Sequence, residues 1–311
     1  MYETIRKALD KGETVVLDGG TGTEIQNRGV PMSGQTWCAE ANRTHPDVVR
    51  AVHADYIRAG AQLVIANTFA TSPLLFNALG RDSDIASIDA SAVRLAREAV
   101  EETGQSGIAV AGSFSTMRLV RQGSDRTSFE RRWSHDEARP LMRRKAEALA
   151  EAGVDLIVME MMRDLDYSLW ATQAAVATGL PVWAGIAVER REDGEIAGFG
   201  RPDSRLADIV PAIMGLGCEA CLVMHSDLAV TGDALGLVRD HWQGPLGAYP
   251  ESGYFTMPDW QFVDIVPEDR FVEECLGWRA MGATLLGGCC GIGPSHIGAL
   301  HETLGREGGT Q

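Results

Sequence analysis

A four-part repeat constrains the fold of this chain more than any other feature. Four helical segments each end at a glycine, two residues follow, and an apolar strand begins; the glycines are Gly60, Gly153, Gly217 and Gly282. Glycine adopts the left-handed conformation that closes a helix, and a short loop then leads into a strand. The strands are continuous apolar runs, as in Leu63–Ala66, which is typical of parallel strands covered by helices. The repeat therefore predicts an α/β protein with a parallel sheet.

Eight such strands can be placed along the 311 residues. Helical periodicity separates them, and one helix opens at Thr44-His45-Pro46-Asp47, which has the spacing of a capping box. Eight βα units in a chain of this length predict a closed (β/α)8 TIM barrel spanning residues 1–311 as one domain, with a doubly wound open sheet as the alternative. The predicted strands are Thr14–Leu17, Leu63–Ala66, Gly107–Gly112, Asp155–Met159, Val182–Val188, Glu219–Met224, Pro245–Ala248 and Ala283–Gly287.

The charge and the cysteines bear on partners and location. A formal net charge of −15 argues against binding to nucleic acid or to anionic membrane surfaces. No apolar run approaches the roughly 18 residues of a membrane span, and the N-terminus lacks the apolar run of a signal peptide. Six cysteines in a chain too large to need disulfides favour a reducing cytoplasm, where a cysteine pair more often serves metal binding or catalysis.

The segment 118–145 is rich in arginine although the chain as a whole is acidic. It follows the third predicted strand, so it would lie at the mouth of a barrel. One interpretation is a solvated helix face or a contact within a homo-oligomer. The other is an insertion or lid that places an arginine on a substrate carboxylate. The arginines are Arg118, Arg121, Arg126, Arg131, Arg132, Arg139, Arg143 and Arg144.

Polar or reactive side chains stand at the carboxyl ends of the predicted strands, which meet at one face of a barrel. They are Asp18, Asn67, Ser113, Glu160, His225, Tyr249 and the pair Cys289-Cys290. The most specific element is Gly287-Gly288-Cys289-Cys290-Gly291, whose glycines let two adjacent sulfurs face one ion. Thiolates select zinc, and a catalytic zinc keeps three protein ligands. His225 is the candidate for the third ligand. The alternative for the cysteine pair is a packed, small apolar corner, and the alternative for His225 is a hydrogen-bonded histidine at a strand end.

The loop Leu17-Asp18-Gly19-Gly20-Thr21-Gly22-Thr23 is rich in glycine but is not a nucleotide-binding loop. It has neither the glycine spacing of a dinucleotide fingerprint nor the lysine of a P-loop. Asp18 therefore reads as a carboxylate on a tight turn, and Glu160 is a second carboxylate at the same face. These acids can be metal ligands, general bases or anchors for an ammonium group, and a helix cap is a further alternative for Asp18.

Taken in order, these motifs resemble the homocysteine S-methyltransferase family, which includes the betaine–homocysteine and S-methylmethionine–homocysteine methyltransferases. The similarity runs over nearly the whole chain. The motifs are Leu17 to Glu24, Trp37, His53 with Tyr56, Ala59-Gly60-Ala61, Ala66-Asn67-Thr68-Phe69, Asp155 with Glu160, Tyr249-Pro250 with Ser252-Gly253, and Gly287 to Gly291 with Pro294 and His296.

The resemblance implies a zinc barrel that activates the thiol of homocysteine. Cys289 and Cys290 match the paired zinc ligands, and Asp18 and Glu160 match the catalytic and substrate-binding carboxylates around the ammonium group. Gly19 and Asn67 would belong to the same pocket. The zinc-bound thiolate would attack a methyl group on a sulfonium or quaternary ammonium donor. Aromatic faces hold such cations, and the candidates are Trp37, Tyr249, Tyr254, Phe255 and Trp260.

The main departure from the family pattern lies at the sixth predicted strand. The family usually has Asn-Cys there, whereas this chain has Met224-His225. Cys218 and Cys221 are the near alternatives for the third ligand, but Cys218 precedes the strand and Cys221 lies within it, far from the catalytic end. We expect a His-Cys-Cys zinc site, with a more Lewis-acidic metal and a less nucleophilic thiolate. The loops after Ser113 and from Tyr254 to Trp260 also differ from the family pattern. Because both would border the donor, the resemblance does not identify which methyl donor is used. Another thiol or selenol acceptor, or a metal-binding barrel that is not a methyltransferase, are the alternatives.

Overall fold

A parallel sheet that curves until its two edge strands meet forms the centre of the computed structural model, which describes residues 1–121, 127, 131–256 and 261–308. Its strand order is β1-β13-β10-β9-β5-β4-β3-β2. The bounds are β1 Val15–Val16, β2 Leu63–Ala66, β3 Ala109–Ser115, β4 Leu156–Met162, β5 Val182–Ile186, β9 Ala220–Asp227, β10 Leu246–Glu251 and β13 Leu285–Leu286.

Contacts between the two edge strands close this sheet. Leu17 forms a parallel bridge with Leu63, and the Gln62 amide donates to the Val16 carbonyl at 2.8 Å. The strands β1, β2, β3 and β5 are buried along their whole length, which explains their continuous apolar sequences. The predicted TIM barrel is therefore confirmed, and the doubly wound alternative is wrong. That residues 1–311 form one domain stays a prediction.

Helices connect and cover the strands. Their apolar faces pack on the sheet; Val49, Val52 and Tyr56 of one helix, for example, are all fully buried. The helices are α1 Tyr2–Asp10, α2 Thr21–Asn27, α3 Ala41–Thr44, α4 Pro46–Arg58, α5 Pro73–Ala78, α6 Ile85–Thr103, α7 His135–Glu151, α8 Tyr167–Val176, α9 Leu206–Met214, α10 Leu228–His241, α11 Glu268–Ala280 and α12 Pro294–Gly308, with a 3₁₀ helix at Asp82–Asp84.

Two small antiparallel sheets interrupt the βα repeat. The first contains β6 Val188–Arg190, β7 Ile196–Gly198 and β8 Arg201–Arg205, and the second pairs β11 Tyr254–Thr256 with β12 Gln261–Val263. The predicted strand Val182–Val188 therefore ends earlier, at Ile186, and a new strand begins at Val188. Periodicity did not reveal these insertions, because short strands outside the barrel need no continuous apolar run.

The predicted capping box at Thr44 is wrong. The residue that caps α4 is His45, and its side chain makes no capping hydrogen bond; Thr44 instead ends the preceding short helix. Pro46 is nevertheless the first helical residue, as the sequence predicted. A capping box forms at α7, where Ser134 and Glu137 bond each other's backbone amides.

The arginine-rich segment divides into two environments. Arg139, Arg143 and Arg144 lie on the exposed face of α7, as the solvated-helix interpretation predicts. Arg118, in contrast, is 4% exposed and lies at the mouth of the barrel. Arg126 lies outside the described residues.

Among the helices that the structure describes, none is long and apolar enough to cross a membrane.

Candidate active site

Irregular backbone at the ends of β4 and β9 shapes the mouth of the barrel. Met161 has φ +62° and His225 has φ +48°. Side chains other than glycine rarely adopt this left-handed conformation, and it is often found at functional sites. The pairing of β4 with β5 shifts between Met159 and Met162, in the same stretch as Met161. As a result, the side chains of Glu160 and His225 meet although they are on strands that are not neighbours.

Glu160, His225 and Cys289 form a cluster of buried groups that can hold a metal ion. Their ligand atoms lie within 4.8 Å of one another. The imidazole Nε2 of His225 is 2.6 Å from Glu160 Oε1, and its Nδ1 is 3.2 Å from Cys289 Sγ. Cys290 Sγ lies 3.7 Å from Cys289 Sγ. The structure therefore brings together all three residues that the sequence suggested as zinc ligands, and adds a carboxylate to them.

Close packing of two neighbouring loops holds the cysteine pair in place. The Cys289 amide donates to the Pro250 carbonyl at 2.6 Å, and the Ser252 amide donates to the Cys290 carbonyl at 2.9 Å. Gly291 has φ +82°, and a Cβ atom there would lie 2.2 Å from the Ser252 carbonyl oxygen. The glycine after the pair is thus required by both its conformation and its surroundings.

Burial controls the protonation of this site. Both cysteines are 4% exposed. Desolvation raises the pKa of the Cys289 thiol well above its usual value, and the neighbouring Cys290 raises it further. A thiol in this position remains protonated unless a cation offsets the cost of burying a thiolate. The site therefore favours a metal ion as the partner of these sulfurs.

Asp18 lies behind the site and is fully buried. Its Oδ2 accepts from the Ile65 amide at 2.7 Å, and its Oδ1 accepts from the Tyr249 hydroxyl at 2.9 Å. The same hydroxyl is 3.0 Å from the Gly19 carbonyl oxygen. Burial raises the pKa of Asp18 well above its usual value, and the bonds from Ile65 and Tyr249 oppose this shift. Asp18 thus joins the glycine-rich loop, β2 and β10.

Asn67 uses its side-chain amide to join neighbouring segments. Its Nδ2 donates to the Cys38 carbonyl and to Asn42 Oδ1, each at 3.1 Å, and its Oδ1 accepts from the Cys38 thiol at 3.0 Å. Two residues later, the Phe69 ring stacks on His225 with 5.0 Å between centroids and packs edge-on against Trp37. The network thus fixes the aromatic wall beside the cysteines.

Two adjoining cavities meet beside Cys290. The inner cavity holds about 390 Å³, and the outer cavity holds about 680 Å³, each including its open mouth. The residues that line both are Trp37, Phe69, His225 and Cys290. The inner cavity is also lined by Gly19, Gly20, Thr21, Gly22, Ile65, Ala66, Asn67, Glu160, Tyr249 and Cys289. The outer cavity is also lined by Met117, Arg118, Val120, Thr127, Met161, Arg163, Phe199, Glu251 and Phe255.

The site residues predicted from the sequence differ in which of the two cavities they line. Glu160, Asn67 and Tyr249 line the inner one, together with Gly19, whereas Asp18 lies behind it. Among the other aromatic candidates, Phe255 lines the outer cavity, Tyr254 is 60% exposed, and Trp260 lies outside the described residues. Ser113 is buried and lines neither cavity.

Sequence reasoning assigned no role to three residues that contribute to this site. Phe69 follows the strand-end residue Asn67 by two positions, and its place in that motif is the signal that could have identified it. Arg163 also lines the outer cavity, and its position three residues after Glu160 is a comparable signal. Cys38 carried no such signal, because it is joined to the site by hydrogen bonds with Asn67, a residue that is distant in sequence.

Fold and site together define a class of protein: an α/β-barrel enzyme with a buried Glu-His-Cys cluster and two cavities at the carboxyl ends of the strands. The family model for homocysteine S-methyltransferase matches residues 15–304. Homocysteine S-methyltransferase from Escherichia coli (strain K12) is 30% identical, over 95% of this chain and 97% of that protein. Betaine–homocysteine S-methyltransferase 1 from Danio rerio is 26% identical, over 98% of this chain and 76% of that protein.

Solved structures agree with these relatives. The homocysteine methyltransferase MmuM from Escherichia coli in its oxidized form has a TM-score of 0.78 and 27% identity, covering 96% of this chain and 99% of that one. Its metallated form has a TM-score of 0.75 and 26% identity, with the same coverage. The chain belongs to the homocysteine S-methyltransferase family and is an S-methyltransferase. The interpretation as a barrel that is not a methyltransferase is therefore wrong.

Proposed function

We propose that this enzyme transfers a methyl group from a small sulfonium or quaternary ammonium donor to the thiol of homocysteine, giving methionine, with zinc held by His225, Cys289 and Cys290. The spacing of the ligand atoms carries the proposal. Tetrahedral zinc, with bonds of about 2.3 Å to sulfur and about 2.0 Å to nitrogen, places two sulfurs about 3.8 Å apart and a sulfur and a nitrogen about 3.5 Å apart. The corresponding distances here are 3.7 Å and 3.2 Å.

Glu160 orients the histidine of this proposed site. Because Nδ1 of His225 faces Cys289 and Nε2 faces Glu160, we assign Nδ1 as the ligand and Nε2–H as the donor to the carboxylate. A carboxylate on the far nitrogen of a ligating histidine fixes its tautomer and makes the imidazole a better ligand. Stacking of Phe69 holds the same ring in its plane. The histidine is thus prepared as a ligand by its neighbours.

The acceptor is assigned to the inner cavity. Glu160 lines this cavity, so its carboxylate can bind the ammonium group of homocysteine as well as orient His225. Asp18 acts from behind by accepting a hydrogen bond from the Tyr249 hydroxyl, which also donates to the Gly19 carbonyl of the glycine-rich loop. When bound, zinc supplies the charge that keeps the acceptor sulfur deprotonated near neutral pH. The protein residues hold the amino acid so that its sulfur is near the cysteine pair.

The donor is assigned to the outer cavity. Trp37, Phe69 and Phe255 line it, and aromatic faces attract cations while excluding water. In the reaction a bond forms between the acceptor sulfur and the methyl carbon as the bond from that carbon to the donor heteroatom breaks. The bonding electron pair stays with the donor heteroatom, which leaves as a neutral thioether or tertiary amine. The transfer thus needs no other reactant.

A second candidate function keeps the methyl transfer but changes the acceptor to another thiol or to a selenol. The observation that favours it is His225, which would give the metal site two thiolate ligands and one neutral ligand. With less negative charge around the metal, the bound thiolate is less nucleophilic, and an intrinsically more nucleophilic acceptor would compensate. The zinc dependence, the cytoplasmic location and the homo-oligomer remain predictions.

Metal content and methionine formation test the main proposal. We expect about one zinc per chain by elemental analysis, and methionine from homocysteine with at least one donor in a panel of sulfonium and betaine compounds. His225→Ala and Cys289→Ser should lose zinc. Cys218→Ser serves as the matched control, because Cys218 is also buried but precedes β9, away from the site; it should keep zinc.

Two outcomes would contradict the proposal in different ways. If the reduced protein binds no added zinc, the assigned metal site is wrong. If zinc binds and another thiol or a selenol is methylated faster than homocysteine, the second candidate replaces the first.

A further inference from the structure

A third cavity lies between the segment before α7, the start of α8 and the start of β8. It holds about 1070 Å³, including its open mouth. Protein pockets that bind small molecules commonly hold about 300–1,000 Å³. Among the described residues it shares Arg118 with the outer cavity and none with the inner cavity. A ligand in the third cavity can therefore bind without occupying the methyl-transfer site.

The wall of the third cavity is cationic although the chain carries a net charge of −15. Asp166 and Asp203 are the carboxylates that line it among the described residues, against four arginines. These are Arg118, Arg131, Arg132 and Arg201. Such a concentration of guanidinium groups attracts anions.

The protein itself neutralises one of these four charges. Arg201 Nη1 is 3.3 Å from Asp164 Oδ2, and Arg201 Nε is 3.3 Å from Asp203 Oδ1. Arg131 and Arg132 form no ion pair with any carboxylate among the described residues; Arg131 donates instead to the neutral Asn77 Oδ1 at 2.8 Å. Their charges are therefore available to a bound anion.

Arg118 is the buried member of this group and has unused hydrogen-bonding capacity. It is 4% exposed, and within the described chain its Nε and Nη2 atoms make no hydrogen bond. Asp164 Oδ2, which is also paired with Arg201, lies 3.6 Å from Arg118 Nη2. A buried guanidinium with free donors is unfavourable unless a bound group completes its hydrogen bonds.

Aromatic side chains form another part of the same wall. Tyr167 packs edge-to-face against Trp133 and Trp170, with 6.5 Å and 5.2 Å between ring centroids. Trp133 and Tyr167 are buried, whereas Trp170 is half-buried and has indole surface open to the cavity. Flat heterocycles stack on such aromatic surfaces, and nucleobases do so whatever their identity.

We propose that the third cavity binds a nucleotide, with the base against Trp170 and the phosphates on Arg118, Arg131 and Arg132. Guanidinium groups match phosphate oxygens in geometry and charge. Asp166 makes no capping hydrogen bond at the start of α8, so its carboxylate can accept from a ribose hydroxyl. A simple anion would use the arginines but leave the aromatic surface without a partner, and a neutral heterocycle would leave the arginines without one.

Calorimetry on the purified protein, without added divalent metal, tests this site with three probes: ADP, adenosine and inorganic pyrophosphate. We expect ADP to bind with a Kd below about 1 mM, and adenosine and pyrophosphate to bind about 10-fold or more weakly. Arg118→Met and Arg132→Met should each raise the Kd for ADP about 10-fold. Trp170→Leu should weaken the binding of ADP but not that of pyrophosphate.

Two control variants locate the binding. Arg143→Met removes an arginine from the exposed face of α7 that lines none of the three cavities, and it should leave the Kd for ADP unchanged. Phe255→Ala changes the outer cavity alone and should also leave it unchanged. Weaker ADP binding in Phe255→Ala, with wild-type binding in Arg132→Met, would place ADP in the outer cavity and overturn the proposal.

The probes themselves supply two further contradicting outcomes. Pyrophosphate that binds as tightly as ADP would mean that the aromatic surface takes no part, and the nucleotide assignment would then be wrong. A Kd for ADP above about 1 mM at low salt, where attraction between charges is strongest, would mean that the cavity is not a nucleotide site. These measurements need neither a methyl donor nor turnover, so they stand apart from any failure of the proposed function.

Discussion

The fully buried imidazole of His53 should make the stability of this protein depend on pH. His53 lies in α4 with no exposed surface, and neither ring nitrogen has a hydrogen-bond partner among the described residues. Burial lowers the pKa of His53 from 6.5 to about 4. Below pH 6.5 the unfolded chain therefore binds a proton that the folded chain does not. The stability contributed by the neutral imidazole is present above pH 6.5 and is lost as the pH falls towards 4.

The size of this effect follows from the two pKa values. One pKa unit corresponds to about 1.36 kcal/mol, so the full effect on the free energy of unfolding is about 3 kcal/mol. Between pH 7.5 and 5.5 the expected loss is about 1.4 kcal/mol, and by pH 4.5 it reaches about 2.5 kcal/mol. Such losses are a large fraction of the total stability of a typical domain.

Urea unfolding of the wild type and of His53→Leu, followed at pH 7.5, 5.5 and 4.5, measures this contribution. The variant should lose less stability than the wild type on acidification, by the amounts above. His241→Gln is the control, because it removes an exposed histidine and should leave the pH dependence unchanged. Parallel curves for His53→Leu and the wild type would refute the argument, since they would mean that the folded protein protonates His53 as easily as the unfolded chain.

Two further predictions concern buried hydrogen bonds and charges. Tyr249→Phe removes the hydroxyl that donates to Asp18, so we expect a loss of about 1–3 kcal/mol in the free energy of unfolding. Urea unfolding measures this loss, and the zinc content should stay unchanged. An unaltered urea midpoint would show that the hydrogen bond to Asp18 does not stabilise the fold. Lys145→Met leaves the buried carboxylate of Asp89, 2.7 Å from the ammonium group, without its partner and should cost about 3–5 kcal/mol. Adding Asp89→Asn should recover part of this loss, and a double variant less stable than Lys145→Met would contradict the explanation.

Much of the fold could be predicted from sequence because barrel strands and their helices carry local signals. The glycine before each strand and the uninterrupted apolar runs depend only on backbone conformation and on burial from both sides. The short sheet from Val188 to Arg205 carried no such signal. The sequence predicted a capping box at Thr44, whereas the structure forms one at Ser134, because cap geometry depends on where the preceding segment ends.

By itself the sequence determined that reactive side chains would gather at the carboxyl ends of the strands, and that Cys289 and Cys290 would stand among them. Only the tertiary structure decided how these groups meet. It turns the backbone of His225 to a positive φ and brings its imidazole against Glu160 from another strand. It also buries Arg118 while exposing Arg139 of the same segment. The physical reason is that spacing along the chain governs which strand end a residue reaches, whereas orientation, burial and pairing depend on neighbours that are distant in sequence.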